Sequence, residues 1–130
     1  MMTLSLHHEF PATDRVVVYV GGHLDAMSFG EFDKAMLVLL PRLDEGGTVV
    51  VDLAGLEYVS SAGLRSLARI RKSMRARNGH TLLLNPQPQV RKVFAIVKAV
   101  PVNEVFTSTQ ELDAYLDRMQ RQVIEGNSDA

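Results

Sequence analysis

The chain has 130 residues, 46% of them apolar and 22% charged, the profile of one ordinary globular domain able to bury about 65–70% of its unfolded surface. The absence of cysteine excludes disulfides, thiol catalysis and zinc–thiolate sites. Net charge is only −1, but residues 1–57 hold nine acids against three bases, and between Glu57 and Glu104 there is no acid at all while Arg65, Arg69, Arg71, Lys72, Arg75, Arg77, Arg91, Lys92 and Lys98 occur. Such a block steers acidic partners or, more commonly, forms a solvated helix face.

Thr3 to Phe10 alternates loosely as an edge strand, Pro11 to Asp14 is a turn, and β-branched Arg15 to Val20 is a second strand, together an antiparallel pair. Gly21-Gly22-His23-Leu24-Asp25 is expected to bend out of that strand. Ser28 and Glu31 have the spacing of a capping box, and Phe29, Phe32, Met36, Leu39, Leu40 and Leu43 follow as an apolar helical stripe, disturbed by Pro41 and ended by Gly46-Gly47. Thr48 to Leu53 predicts a buried strand, with Ala54-Gly55 as a turn signal. Leu64, Leu67, Ala68 and Met74 then recur at helical spacing, so that Ser60 or Ser61 occupies the N-cap, and Asn78-Gly79 closes the helix.

His80 to Leu84 is a short buried strand, and Asn85-Pro86-Gln87-Pro88 turns into a helix with Val90, Val93, Phe94 and Val97 on one face. A short strand is expected at Glu104 to Phe106, and a second box, Ser108 to Glu111, opens a last helix carrying Leu112, Tyr115, Leu116, Met119 and Val123. The order implies an α/β fold: a mixed sheet of four to five strands, an initial antiparallel pair, later strands parallel through right-handed crossovers, and about four helices. Residues 1–124 form a single domain and 125–130 a frayed polar end. No stretch reaches the roughly eighteen apolar residues of a membrane span, and Met1 to Phe10 lacks the basic start and apolar run of a signal peptide, so a cytoplasmic protein without membrane insertion is expected.

Enzyme chemistry finds little support. The Gly21-Gly22 pair has neither dinucleotide nor phosphate-loop spacing. His7 and His8 are adjacent, so they point to opposite faces of a strand and cannot chelate one metal unaided. Ser61 lacks the glycine two residues earlier that a nucleophile elbow needs, and no histidine is placed as its base. Asp25 and Asp52 sit near different strand ends with no metal or histidine signature, and Asp52 reads as a turn cap. The Arg-rich segment 65–77 has no interleaved aromatic, which argues against nucleic acid. No catalytic residue, metal or cofactor is expected.

A hydroxyl at a helix start past the carboxyl end of a buried strand is instead a place for a partner or a modification. A phosphate there meets free backbone N–H groups and the helix dipole, with Arg65 one turn on, each worth about 0.3–1 kcal/mol. No capping-box carboxylate competes, because Leu64 stands three residues after Ser61. Either Ser60 or Ser61 fits this chemistry, and a plain N-cap role fits them equally.

The run Asp52-Leu53-Ala54-Gly55-Leu56-Glu57-Tyr58-Val59-Ser60-Ser61-Ala62-Gly63-Leu64, preceded by Gly22-His23-Leu24-Asp25, resembles the STAS-domain anti-sigma factor antagonists, and the likeness in element order extends from about Leu4 to Val123. The resemblance implies the STAS fold, no catalytic activity, and a module that binds an anti-sigma factor, itself a serine kinase, until phosphorylation ends the binding; a serine phosphatase is a further candidate partner. By position in the motif the phosphoacceptor falls on Ser61, with Ser60 as rival, since the family often has Asp before the acceptor and Ser or Thr after it where this chain has Ser60 and Ala62. Asp25 is placed beside the switch helix, and Asp25, Leu56, Tyr58, Ser60, Ala62, Gly63 and Arg65 are the candidate partner-binding residues, whereas Leu64 is expected in the core. Two rival functions are a STAS accessory subunit of a lipid or anion transport system, and a nucleic-acid-binding domain using the basic block.

Overall fold

Strand β1, Leu4–Ala12, and strand β2, Arg15–Leu24, form the antiparallel pair expected at the start of the chain. Their register slips between Glu9 and Ala12, and Pro11 falls in that slip on an edge strand, where its missing N–H breaks no ladder. The computed structural model describes residues 3–97, 105–106 and 114. The last helical stripe, its Ser108 to Glu111 box and the polar end lie, apart from Ala114, outside the described residues.

The glycine pair does not end β2. The strand continues through Gly21, Gly22 and His23 to Leu24, with Gly22 opposite Leu4. Gly22 has φ +80°, and a Cβ there would stand 2.0 Å from the Thr3 carbonyl oxygen, so glycine lets the strand curl without breaking. Strand β3, Thr48–Val59, likewise runs past the Ala54-Gly55 pair expected to stop it. Tyr19 pairs with Asp52 but Gly21 with Gly55, and Gly22 pairs with Leu56 but His23 with Tyr58. Twice, therefore, β3 inserts one extra residue, and Ala54-Gly55 belongs to a bulge instead of a turn. Asp52 supports the first kink by accepting the Ala54 N–H at 2.9 Å.

Strand β4, His80–Leu84, adds parallel to β3, and β5, Val105–Phe106, adds parallel to β4, giving the sheet order β1-β2-β3-β4-β5. Alternation sorts the side chains onto two faces. Val16, Val18, Val20, Val49, Val51 and Leu83 join the main core, while Val17, Val50, Leu82 and Leu84 form a cluster on the other face. A central strand buried on both sides is apolar at successive positions, which is why Val49, Val50 and Val51 show no alternation.

Helix α1, Phe29–Leu39, passes into a single 3-10 turn over Leu40–Arg42, where Pro41 interrupts the α-helical bonding. Helix α2, Ser61–Ala76, ends in a Schellman motif: Asn78 has φ 57°, its N–H reaches the Arg75 carbonyl at 3.1 Å, and Gly79 N–H reaches Met74 at 2.7 Å. The two helices run in the same direction, because Arg69 of α2 meets Asp33 of α1 at 2.6 Å while Arg77, further on, donates to the carbonyls of Leu40 and Leu43. Phe32, Met36 and Leu39 of α1 and Leu67, Ile70 and Met74 of α2 are buried in the main core.

Helix α3, Pro88–Val97, puts Val90 and Phe94 into the same core. The turn before it and its first residues also serve the sheet. Where β3 outruns β4, its carbonyls at Ala54 and Glu57 accept hydrogen bonds from Gln87 at 2.7 Å and Gln89 at 3.1 Å, satisfying backbone acceptors that have lost their ladder.

Candidate functional site

The carboxyl end of β2 is locked against the first turn of α2. Ser60 N–H donates to the Leu24 carbonyl at 3.0 Å. A Cβ at Gly63 would lie 2.4 Å from the same oxygen and 2.9 Å from both Leu24 Cγ and Val59 Cγ2, so this contact is possible only with glycine. Gly63 is therefore buried packing and presents no surface of its own, which corrects its place among the candidate partner-binding residues.

Ser60 takes the N-cap, with φ −99° and ψ 178°, and Ser61 is the first helical residue. Ser60 makes no side-chain cap bond, and its Oγ is buried without a hydrogen-bond partner. Ser61 is exposed. With Ser60 as cap, the third helical position is Gly63 rather than Leu64, and it carries no side chain to fold back. The first intrahelical bond runs from Leu64 N–H to the Ser60 carbonyl at 2.9 Å, so the amides of Ser61, Ala62 and Gly63 have no intrahelical acceptor. Arg65 is exposed one turn on and Ala62 is half-buried, while Leu64 is in the core as expected.

Beside this helix start lies the loop from Asp25 to Ser28, between β2 and α1. The Ser28-Glu31 spacing marks the start of α1 correctly, but no capping bond forms. Ser28 Oγ instead donates to the His23 carbonyl at 2.7 Å and accepts the Asp25 N–H at 3.0 Å. Asp25 Oδ1 accepts the Met27 N–H at 2.9 Å, and its carbonyl accepts from Phe29 N–H at 2.9 Å. Asp25 thus shapes the loop with its own side chain turned inward. Met27, at the loop tip, is 94% exposed, and Phe29, expected in the core stripe, is 37% exposed. Met27 carries no periodic signal in the sequence, standing alone between Ala26 and Ser28 ahead of the helical stripe.

The bulged end of β3 completes the surface. Tyr58 is 49% exposed and its ring lies 5.3 Å from that of His23, whose Nε2 is 3.9 Å from Glu57 Oε2. Leu56 is 0% exposed; the second bulge turns Glu57 and Tyr58 outward and leaves Leu56 in the core, so it supplies no partner contact.

Part of the basic block is structural. Arg69 is bound to Asp33 and to Ser66 Oγ, and Arg77 to main-chain carbonyls. His7 and His8 contact Tyr19 and Phe10 respectively, with ring centroids 6.2 and 6.0 Å apart. Among the described residues no group of three His, Asp or Glu is placed to hold a metal ion, and no helix is long and apolar enough to cross a membrane.

A family model described as STAS domain matches residues 8–112. BtrV of Bordetella bronchiseptica, named an anti-sigma factor antagonist, is 42% identical over 59 residues, 45% of this chain and 51% of that protein, so the match spans about half of BtrV. The anti-sigma-B factor antagonist of Listeria monocytogenes is 25% identical over 104 residues, 80% of this chain and 90% of that protein. Among solved structures, the anti-sigma factor antagonist SpoIIAA in its unphosphorylated form matches with a TM-score of 0.70 at 22% identity, covering 89% of this chain and 96% of that one. The Bacillus cell fate determinant SpoIIAA in the phosphorylated form matches at 0.66 with 20% identity, over 86% and 99%. At these identities the structural likeness is one of fold.

Proposed function

Because this chain belongs to the STAS domain family, we propose that it is an anti-sigma factor antagonist whose docking surface is switched by phosphorylation of Ser61. The observation that carries this reading is the contrast between neighbours at the start of α2: Ser61 is exposed, whereas the Ser60 hydroxyl is buried. A kinase reaches the first and not the second. The proposed partner is an anti-sigma factor with serine kinase activity in the cytoplasm, with a serine phosphatase resetting the site, and the protein itself acts by binding and not by catalysis.

Unphosphorylated, the surface offers apolar contacts from Met27, Phe29 and Tyr58 around a loop held by Asp25. A phosphate on Ser61 has the free amides of the first turn, the positive end of the α2 dipole and Arg65 to meet it, each worth about 0.3–1 kcal/mol, so the fold tolerates it. The partner does not. About −1.5 to −2 charges and their hydration shell enter the middle of an interface, and each ~1.4 kcal/mol of mismatch lowers affinity tenfold.

The test is phosphorylation of the purified chain by its cognate kinase with ATP, read by mass spectrometry, beside partner binding by calorimetry. Phosphate is expected on Ser61 alone. Ser61→Ala is expected to accept none and bind permanently, and Ser61→Asp to bind at least about tenfold more weakly. Phosphate on Ser60, or its incorporation into Ser61→Ala, overturns the assignment.

A further inference from the structure

We propose that the groove between α1 and α2 binds an amphiphile with an anionic head and an alkyl tail of about ten carbons, at a site separate from Ser61. The groove is open to solvent and has a volume of about 620 Å³, within the ~300–1,000 Å³ of small-molecule sites. Its floor is Met36, Leu40 and Ile70, all buried, and its α1 wall includes Leu37, which is 77% exposed. An apolar side chain so exposed beside a trough is half of a contact.

Dimensions select the tail. Arg69 crosses the groove at one end to reach Asp33, and Arg77 crosses at the other to reach the carbonyls of Leu40 and Leu43. Asp33 to Pro41 spans eight residues of helical rise, about 12 Å, which matches an extended chain of about ten carbons, since a ~1.5 Å C–C bond advances a zigzag chain by only ~1.25 Å. A partner helix lying along the groove would have to ride over both arginine ties, whereas an alkyl chain fits between them.

Charge selects the head. Asp33 neutralises Arg69 at 2.6 Å. Arg77 meets only neutral carbonyls, and no carboxylate among the described residues is ion-paired with it. A guanidinium has five donors, so two carbonyls leave capacity for an oxyanion. No Asp or Glu occurs along α2 to repel one, and Ser73, which lines the groove beside Arg77, adds a hydroxyl. A carboxylate and a phosphate monoester are the two head groups this chemistry admits.

The experiment titrates the full chain with decanoate by calorimetry, with decyl phosphate, decanol and butyrate as comparisons. One saturable site is expected, for which decanoate and decyl phosphate compete, with decanol at least tenfold weaker and butyrate without measurable binding. Leu37→Glu and Ser73→Trp, both at exposed positions, are expected to weaken decanoate at least tenfold while circular dichroism stays unchanged. Absence of saturable binding, equal affinity for decanol, or full binding in both variants overturns the site. If decanoate fails to bind and Leu37→Glu weakens the anti-sigma partner, the groove is a protein-docking surface and the amphiphile is excluded. Both variants keep Ser61, so its phosphorylation, followed in parallel, is judged independently.

Discussion

A buried hydroxyl without a partner burdens the native state by about 1–3 kcal/mol, and Ser60 Oγ is such a group. Ser60→Ala keeps the backbone bond to Leu24 and removes the unpaired atom. It is expected to leave stability unchanged or raise it by up to ~1 kcal/mol in urea denaturation, against the usual cost of losing an N-cap side chain, and to be phosphorylated at the wild-type rate. Tyr19 makes a second residue-level case. Its hydroxyl donates to Glu9, and this hydrogen bond, then burial and the charges of Glu9 and Asp52, push its pKa from the ordinary 10.0 up to about 12. A folded value above the unfolded one means that the stabilisation is whole below pH 10 and is lost as pH rises towards 12. Absorbance titration should find one of the three tyrosines ionising last, and Tyr19→Phe should abolish that late step together with the extra loss of stability over the same interval.

Among elements, the two arginines joining α1 and α2 should differ in weight. The Arg69–Asp33 pair is partly exposed, at 51% and 28%, and a double-mutant cycle is expected to return about 0.2–1 kcal/mol. Arg77 satisfies two carbonyls at the end of α1 and its 3-10 turn, so Arg77→Ala is expected to cost about 1.5–3 kcal/mol in thermal unfolding. Nothing in the sequence separates these arginines, because both lie in one unbroken basic run. Helix positions and the Asn78-Gly79 stop were legible, since apolar spacing and a left-handed cap are local properties. The strand ends were not. Gly21-Gly22 and Ala54-Gly55 carry the composition of turns, and only their mutual pairing across β2 and β3 shows the first to be continuous strand and the second to belong to a bulge. In the site, the motif pointed to Ser61 with Ser60 as rival, and the burial of the Ser60 hydroxyl that supports the proposal for Ser61 is not written in the sequence; Leu56 was likewise indistinguishable from Tyr58 until the second bulge sent them opposite ways.

For the whole molecule, phosphorylation is expected to move very little. Backbone amide shifts should change around residues 23–29 and 56–66 and stay fixed over β4 and the second half of α2; a change spread through the sheet would mean that the switch works by rearrangement. The reason lies in the contact of Gly63 with Leu24. The Leu24 carbonyl oxygen lies only 2.4 Å from where a Cβ at Gly63 would stand, so the first turn of α2 is packed closely on the end of β2 and is expected to move little when a charge is added. The message is written on a rigid frame as ink rather than as movement. If Ser61 is phosphorylated as proposed, the speed of the switch would be set by the kinase that writes and the phosphatase that erases, with no slow conformational step between them.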